Sequence, residues 1–188
     1  MKKLAIALVC ILLVVGVVGG TLAWLTDTTA PVVNTFTASN IEITLDETTG
    51  PEYKMVPGCE IEKDPVVTVT GGSEKCYLFV KLEKSANFDQ FMAYAVADGW
   101  TKLTGVEGVD NVYYREVAAS DIDQSFDVIE DDKITVSETV TKEQMNGLTE
   151  ATYPTLTVTA YAAQYAKNNT ENFTAAEAWA VLNPPANP

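Results

Sequence analysis

Short stretches in which apolar and polar residues alternate constrain the fold of this chain more than any other feature. In 41–45, isoleucine and leucine alternate with glutamate and threonine, and turn residues follow at 48–51. A period of two residues is typical of a strand with one buried face. Similar stretches bounded by Gly, Pro, Asp or Asn predict further strands at 66–70, 76–83, 112–117, 134–139 and 155–165.

These strands do not alternate regularly with helices, so the pattern predicts a mainly β fold, a jelly-roll-like antiparallel β-sandwich with a few short helices. Gly71 and Gly72 between two of the strands predict a hairpin. Helices are expected at 88–96, 142–146 and 175–182. The last two start with capping-box pairs, in which a hydroxyl and a longer polar side chain satisfy free backbone donors. The pairs are Thr141 with Gln144 and Thr174 with Glu177.

The first 23 residues differ from the rest of the chain. Two lysines precede the apolar run 4–18, and small residues at Thr21 and Ala23 flank Leu22. This order is typical of a secretory signal peptide, so we expect residues 1–23 to be removed by cleavage between Ala23 and Trp24. The alternative is an uncleaved anchor, because 4–23 is long enough to cross a bilayer. Membrane contact is expected only through this segment, and the mature protein is expected to be secreted.

Cleavage leaves 165 residues, the size of one ordinary domain. Within them we distinguish an N-terminal segment at 24–38, a β domain at 39–182 and a proline-rich tail at 183–188 that is expected to be disordered. The tail contains no second apolar segment.

The charge balance argues against nucleic acids and anionic membranes as partners. The chain has 12 Lys and Arg against 26 Asp and Glu, a net charge of −14. Nucleic acids and anionic membranes would be repelled by such a surface. We therefore expect neither as a partner.

The chain contains no histidine. This removes the commonest general base, the usual zinc ligand and every nucleophile that is activated by histidine. Gly71 and Gly72 lack the Lys-Ser/Thr that follows a phosphate-binding loop. A noncatalytic protein is expected, and a hydrolase with paired carboxylates is the enzymatic alternative.

One acidic stretch resembles a calcium-binding loop. Oxygen-bearing side chains occupy its positions 1, 3, 5, 7 and 12, namely Asp121, Asp123, Ser125, Asp127 and Asp132. Phe126 stands where such loops need glycine for a sharp bend, and the last ligand is aspartate instead of a bidentate glutamate. Calcium is thus the only candidate cofactor, and a solvated acidic loop or strand is the alternative.

Two cysteines follow the signal segment, Cys59 and Cys76. In an oxidising compartment they could form a disulfide, which would stabilise the fold by about 3 kcal/mol according to the chain-entropy model. A simple hairpin at Gly71-Gly72 would instead place Cys76 opposite Val67 and leave Cys59 out of reach. The disulfide requires a different connection between the strands.

The junction around the cleavage site resembles that of a known family. Residues 19–27 read Gly-Gly-Thr-Leu-Ala-Trp-Leu-Thr-Asp, residues 34–37 read Asn-Thr-Phe-Thr, and the 41–45 strand follows. The SipW-dependent secreted proteins, which include the TasA- and camelysin-like biofilm matrix proteins, share the order G-G-T-x-A-[FWY]-x-x-D, N-x-F-T and strand. The similarity spans residues 19–45.

This resemblance implies cleavage by a dedicated signal peptidase, deposition in the extracellular matrix or on the cell surface, and a jelly-roll-like domain. It also implies assembly into fibres, in which the N-terminal segment of one subunit adds a strand to the next. Apolar anchors for such a donor strand are Trp24, Leu25, Val32, Val33 and Phe36. Pro31 removes one backbone donor among them.

Two alternatives to this donor strand are a frayed leader and a segment that folds back on its own domain. The functional alternative is a monomeric surface binding module or adhesin that binds calcium weakly. Camelysin-like proteins have been assigned metallopeptidase activity. This chain has no histidine and offers no recognisable site for that activity, so we do not expect it here.

Overall fold

Antiparallel strands dominate the computed structural model, which describes residues 40–50 and 53–182. The predicted signal peptide, N-terminal segment and tail lie outside these residues. The strands are β1 (Ile43–Asp46), β2 (Glu60–Glu62), β3 (Val66–Val69), β4 (Cys76–Lys84), β5 (Met92–Ala93), β6 (Thr101–Lys102), β7 (Val112–Val117), β8 (Gln124–Asp127), β9 (Lys133–Val136) and β10 (Leu156–Gln164). The helices are α1 (Phe88–Phe91), α2 (Lys142–Asn146) and α3 (Ala175–Leu182), with 3-10 turns at Glu130–Asp132 and Glu150–Thr152. The mainly β prediction is confirmed.

The strands form three antiparallel sheets. Sheet I has the order β1-β3-β8, sheet II the order β10-β4-β7-β6, and sheet III the order β2-β9-β5. The longest ladder joins β10 to β4 over nine residue pairs, from Leu156 opposite Lys84 to Gln164 opposite Cys76. Strand β4 is therefore the central element of sheet II.

Sheets I and II pack against each other across a shared apolar core. Their buried side chains are Val67, Val69, Cys76, Leu78, Val80, Leu82, Val117 and Val128. The opposite face of β4 carries Tyr77 and Phe79, which pack under α3 against Trp179. The rings of Phe79 and Trp179 lie 5.3 Å apart between centroids. Side chains on both faces of β4 are therefore buried.

Sheet III and α1 enclose a separate apolar cluster that includes Phe88, Phe91 and Val136. The helix predicted at 88–96 ends at Phe91. It ends there because Met92 and Ala93 pair with β9, with Met92 opposite Val136. Pairing between distant segments thus overrides the local helical pattern.

The hairpin predicted at Gly71-Gly72 is wrong. Strand β3 belongs to sheet I and β4 to sheet II, so the two glycines form a corner between the sheets. A Cβ at Gly71 would lie 2.6 Å from the Asp121 carbonyl oxygen, which leaves room only for glycine. Gly72 N–H donates to the Ser120 carbonyl at 2.7 Å, and its φ of +86° suits the turn.

Both predicted capping boxes are present. Gln144 N–H donates to Thr141 Oγ1 at 3.2 Å, and Thr141 N–H donates to Gln144 Oε1 at 2.8 Å. Thr174 and Glu177 do the same at the start of α3, where the backbone and hydroxyl bonds from Thr174 lower the pKa of the Glu177 carboxyl.

None of the helices in the described residues has the length and apolar character needed to cross a bilayer.

Candidate functional site

Strands β1 and β10 form one margin of the paired sheets, which we name the open side. Each is the first strand of its sheet, and the two contact each other. Neither has a second neighbouring strand among the described residues. An edge strand presents unpaired backbone groups, which can accept another extended chain. The open side is therefore the strongest candidate for a binding surface.

The hydrogen bonds at the two ends of β10 show which backbone groups face outward. Tyr165 N–H donates to the Lys75 carbonyl at 3.2 Å, and Ser85 N–H donates to the Thr155 carbonyl at 2.9 Å. Residues of an antiparallel strand bond alternately to one side and the other. Odd-numbered residues of β10 thus bond to β4. The residues that direct N–H and C=O to the open edge are Leu156, Val158, Ala160, Ala162 and Gln164.

The core-facing side chains of β10 are apolar and only half covered. Four outward-bonding residues of β10 turn their side chains into the core between sheets I and II, where they meet Ile41 and Ile43. They are Leu156, Val158, Ala160 and Ala162, each half-buried. Strand β10, with the sequence LTVTAYAAQ, carries no charge and no proline. A strand added here would bury more of these side chains and encounter no charged group on β10.

The opposite margin, which we name the closed side, is formed by β6 and β8. Strand β6 has two residues, one of them Lys102. On β8, the Asp127 carbonyl accepts the indole N–H of Trp100 at 2.8 Å, so this edge group is already occupied. The Arg115 guanidinium stacks over Phe126, with Cζ 3.9 Å from the ring centroid, and lies 5.3 Å from the Trp100 ring. Loss of hydration lowers the pKa of Arg115.

A polar network ties the chain after β1 to the β2–β3 connection. Lys63 is 9% exposed and bonds to both carboxylate oxygens of Glu47, which also accepts the Tyr53 hydroxyl. Burial first, and the bond to Glu47 second, raise the pKa of Tyr53 to about 12. Thr49 Oγ1 donates to Asp64 Oδ1 at 2.8 Å, and such bonds from Thr48 and Thr49 lower the pKa of Asp64 to about 2. Each of these polar groups has a hydrogen-bond partner within the network, which is typical of contacts that stabilise a fold.

The predicted calcium ligands do not form a binding loop. Those residues were Asp121, Asp123, Ser125, Asp127 and Asp132. Asp123 instead accepts the Gly71 N–H at 2.8 Å in the corner between the sheets. Ser125 lies within the extended strand Gln124–Asp127, and Asp132 belongs to a 3-10 turn. The strand prevents the loop from curling around an ion. No group of three or more acidic or cysteine side chains in the described ranges is arranged to hold a metal.

Asp132 has an unusual environment. Its Oδ1 is buried and has no hydrogen-bond partner among the described residues. Loss of hydration, followed by repulsion from Asp127, Asp64 and Asp131, raises the pKa of its carboxyl. Asp131 and Asp132 both adopt left-handed backbone conformations, with φ of 53° and 55°. Ionised Asp132 is therefore unfavourable in the folded state.

The predicted disulfide between Cys59 and Cys76 is not formed. Cys76 is buried in sheet II between Val117 and Gln164, whereas Cys59 is exposed at the start of sheet III. Both are free thiols. Burial raises the pKa of Cys76 to about 11, which suppresses the reactive thiolate.

The other predicted site residues lie outside the described residues. They are the cleavage pair Ala23 and Trp24 and the assembly anchors Trp24, Leu25, Val32, Val33 and Phe36. Sequence analysis predicted the β10 strand but did not identify it as a sheet edge. The sequence signal that could have identified this edge is the lack of charge over nine residues, in a chain where 20% of residues are charged.

Comparisons of the chain with protein-family models, curated proteins and solved structures found no match.

Proposed function

We propose that this protein is a noncatalytic secreted structural protein of the cell surface or biofilm matrix, and that it self-associates by strand addition. Residues 24–38 of one copy would extend sheet II of the next copy along β10. A dedicated signal peptidase would release the mature chain at Trp24. The facing antiparallel sheets I and II support a jelly-roll-like sandwich as the architecture of the subunit.

The β10 edge is the observation that carries this proposal. Natural sheets protect long edges with charge, proline, bulges or a covering segment, because an open edge pairs with other chains. Strand β10 has nine residues, no charge and no proline, and no other described strand covers it. Main-chain hydrogen bonds along such an edge supply affinity, and alternate side chains supply specificity.

The N-terminal segment has the length and polarity that this edge requires. Fifteen residues in 24–38 reach about 50 Å when extended, whereas nine residues of β10 span about 30 Å. Asp27 is the only charged residue in the segment. The apolar anchors on either side of Pro31 would meet the half-buried side chains of the open side. The excess of acidic over basic residues in the chain would keep undocked subunits soluble.

Substitution of Ala160 by proline tests the proposal. Proline removes an N–H that faces the open edge and leaves the ladder to β4 intact, so folding should persist while assembly is lost. Ala160→Thr is the matched control, because threonine keeps the N–H and suits a strand. Electron microscopy and light scattering would measure fibres, and circular dichroism would check the fold.

A protein that begins at Ser39 provides the second arm of this experiment. If strand addition is correct, the mature chain (24–188) and its Ala160→Thr variant form fibres, while Ala160→Pro and the protein that begins at Ser39 stay monomeric. Stable monomers of the mature chain at high concentration would favour the monomeric surface binding module. Fibres from the protein beginning at Ser39 would show that the N-terminal segment is not the donor.

A further inference from the structure

A cleft of about 430 Å³ opens beside strand β6, and no residue of β10 lines it. It lies among the end of β4, the chain after β5, strand β6 and the start of β7. Its polar lining consists of Lys84, Lys102, Tyr94, Tyr113, Asp110 and Asn111. This volume is within the range of small-ligand sites in proteins.

The cleft is less acidic than the chain as a whole, because its lining contains two lysines and one carboxylate. Lys102 lies opposite Tyr113 in the β6–β7 ladder, and Lys84 lies on the same face of sheet II. Arg115 is the only arginine in the chain. It lies two residues after Tyr113 in β7 and therefore on the same face of sheet II. Lys84 forms an ion pair with Asp89 at 2.7 Å. Neither Lys102 nor Arg115 has an ion pair within the described residues, although the chain has 26 acids.

The cleft also offers both donors and acceptors of hydrogen bonds. The hydroxyls of Tyr94 and Tyr113 have no hydrogen-bond partner among the described residues. Burial raises the pKa of Tyr94 to about 12, so its hydroxyl stays neutral and can donate. Asn111 Nδ2 donates to the Leu82 carbonyl at 2.7 Å, which orients the amide and leaves its oxygen free to accept. The Asp110 carboxylate is a further acceptor.

We propose that this cleft binds a carboxylate-bearing oligosaccharide. Lys84 and Lys102 would pair with the carboxylates through charge-assisted hydrogen bonds. The phenols, the amide and Asp110 would bond to the sugar hydroxyls, which both donate and accept. A nucleic acid fits less well, because Asp110 would repel a continuous row of phosphates, whereas an oligosaccharide places neutral hydroxyls between its carboxylates. The site is distinct from the β10 edge and does not depend on assembly.

Two trisaccharides that differ only at C6 test the role of the carboxylates. Calorimetry of the purified full-length protein would compare α-1,4-trigalacturonate with α-1,4-galactotriose, whose hydroxymethyl groups replace the carboxylates. The acidic sugar should bind about tenfold more tightly, since each desolvated ionic hydrogen bond contributes more than a neutral one. Equal affinity for the two sugars, or no binding of either, would overturn the proposal.

Substitutions locate the site. Lys102→Gln removes an exposed charge and should raise the Kd for trigalacturonate about fivefold. Tyr113→Phe removes one hydroxyl and should weaken binding of both sugars about threefold. Lys142→Gln is the matched control: Lys142 is exposed on α2, outside the cleft lining, and its loss changes the net charge equally.

A single-stranded DNA dodecamer completes the experiment. Weak DNA binding that Lys102→Gln and Lys142→Gln reduce equally would support recognition of the sugar carboxylate. DNA binding tighter than trigalacturonate binding, with the same sensitivity to Lys102→Gln, would overturn the proposal in favour of a phosphate backbone. An unchanged Kd for trigalacturonate in Lys102→Gln would place the sugar elsewhere.

Discussion

The open and closed sides belong to the same two sheets, yet their edge strands differ in length and charge. On the open side, β10 has nine residues without charge. On the closed side, β6 has two residues and includes Lys102, and β8 has an edge carbonyl that bonds to the Trp100 indole. Short, charged or covered edges are how proteins prevent unwanted strand pairing. Protection is therefore present on β6 and β8 and missing on β10.

Charge follows the same division. The closed side contains Arg115, stacked over Phe126 without an ion pair in the described residues, and Asp132 follows β8 with a buried unpaired oxygen. The half-covered core of the open side is lined by aliphatic side chains such as Val158 and Ile43. Desolvating a charge is costly, so a surface that must be buried on association is best kept neutral. This difference favours the uncharged β10 edge over the closed side as a surface for the proposed pairing.

Removal of the Trp100 ring should have the largest effect on stability. Trp100→Ala eliminates the bond to the Asp127 carbonyl and the packing against Arg115, and we expect a loss of about 2–4 kcal/mol in the free energy of unfolding. Trp100→Phe keeps an aromatic ring and should lose about 1 kcal/mol. Urea denaturation would measure both. Equal losses would mean that the indole hydrogen bond alone, and not the ring, covers the β8 edge.

A lysine on each edge of sheet II tests the difference between the two sides in assembly. Thr157→Lys places a charge on the exposed face of β10, opposite Glu83, so folding should change by less than about 0.5 kcal/mol. Association should weaken about tenfold, because the charge must be desolvated by an incoming strand. Light scattering against concentration would measure it.

Thr101→Lys is the control for this prediction. It places the same charge on β6, the other edge of sheet II, at an exposed position. Association should not change. If both lysines weakened association equally, net charge rather than the β10 edge would govern it, and the contrast between the two sides would lose its functional meaning.

Local signals account for the elements that sequence analysis predicted well. Strand β7 matches its predicted bounds, 112–117, because its apolar and aromatic residues suit a strand and turn residues flank it. Helices α2 and α3 match theirs because capping boxes mark their starts. The short strands β5 and β6 carry too few residues for any periodicity, so pairing with β9 and β7 creates them.

Pairing order explains what sequence analysis missed. The turn at Gly71-Gly72 was visible, but its strands belong to different sheets, and no local pattern distinguishes a corner from a hairpin. The acidic stretch at 121–132 has the ligand spacing of a calcium loop, yet Phe126 packs against the core and draws its neighbours into β8. An open edge likewise exists only once the order of strands is known.

Replacing Arg115 by methionine tests whether the closed side needs its charge. Methionine keeps the packing against Phe126 and removes a partly desolvated cation that has no ion pair within the described residues. We expect the free energy of unfolding to change by less than about 1 kcal/mol. Arg115→Ala, which loses the packing as well, should cost about 2 kcal/mol. Equal losses for the two variants would show that the guanidinium charge itself stabilises the closed side.

The smallest predicted effect is a gain in stability at Asp132. Its pKa in the folded state is raised above the value of about 3.9 for an unfolded chain, so the folded state binds the proton more tightly and ionisation disfavours folding. Asp132→Asn should therefore stabilise the protein at pH 7, and asparagine also tolerates the φ of 55°. The gain should shrink as the pH falls through the raised pKa of Asp132. It should vanish below about pH 3.9, where the Asp132 carboxyl is protonated in both the folded and the unfolded state.

Urea midpoints at pH 7 and pH 3 would measure this dependence. Asp131→Asn is the control, since Asp131 is exposed and has nearly the same backbone conformation, with φ of 53°. It should give a smaller gain, because it relieves only the repulsion that Asp131 exerts on Asp132. If Asp132→Asn lowered stability at pH 7, its buried oxygen would have a stabilising partner in the folded protein. The carboxylate that follows β8 would then be satisfied, and the contrast with the uncharged strand β10 would rest on edge length and coverage alone.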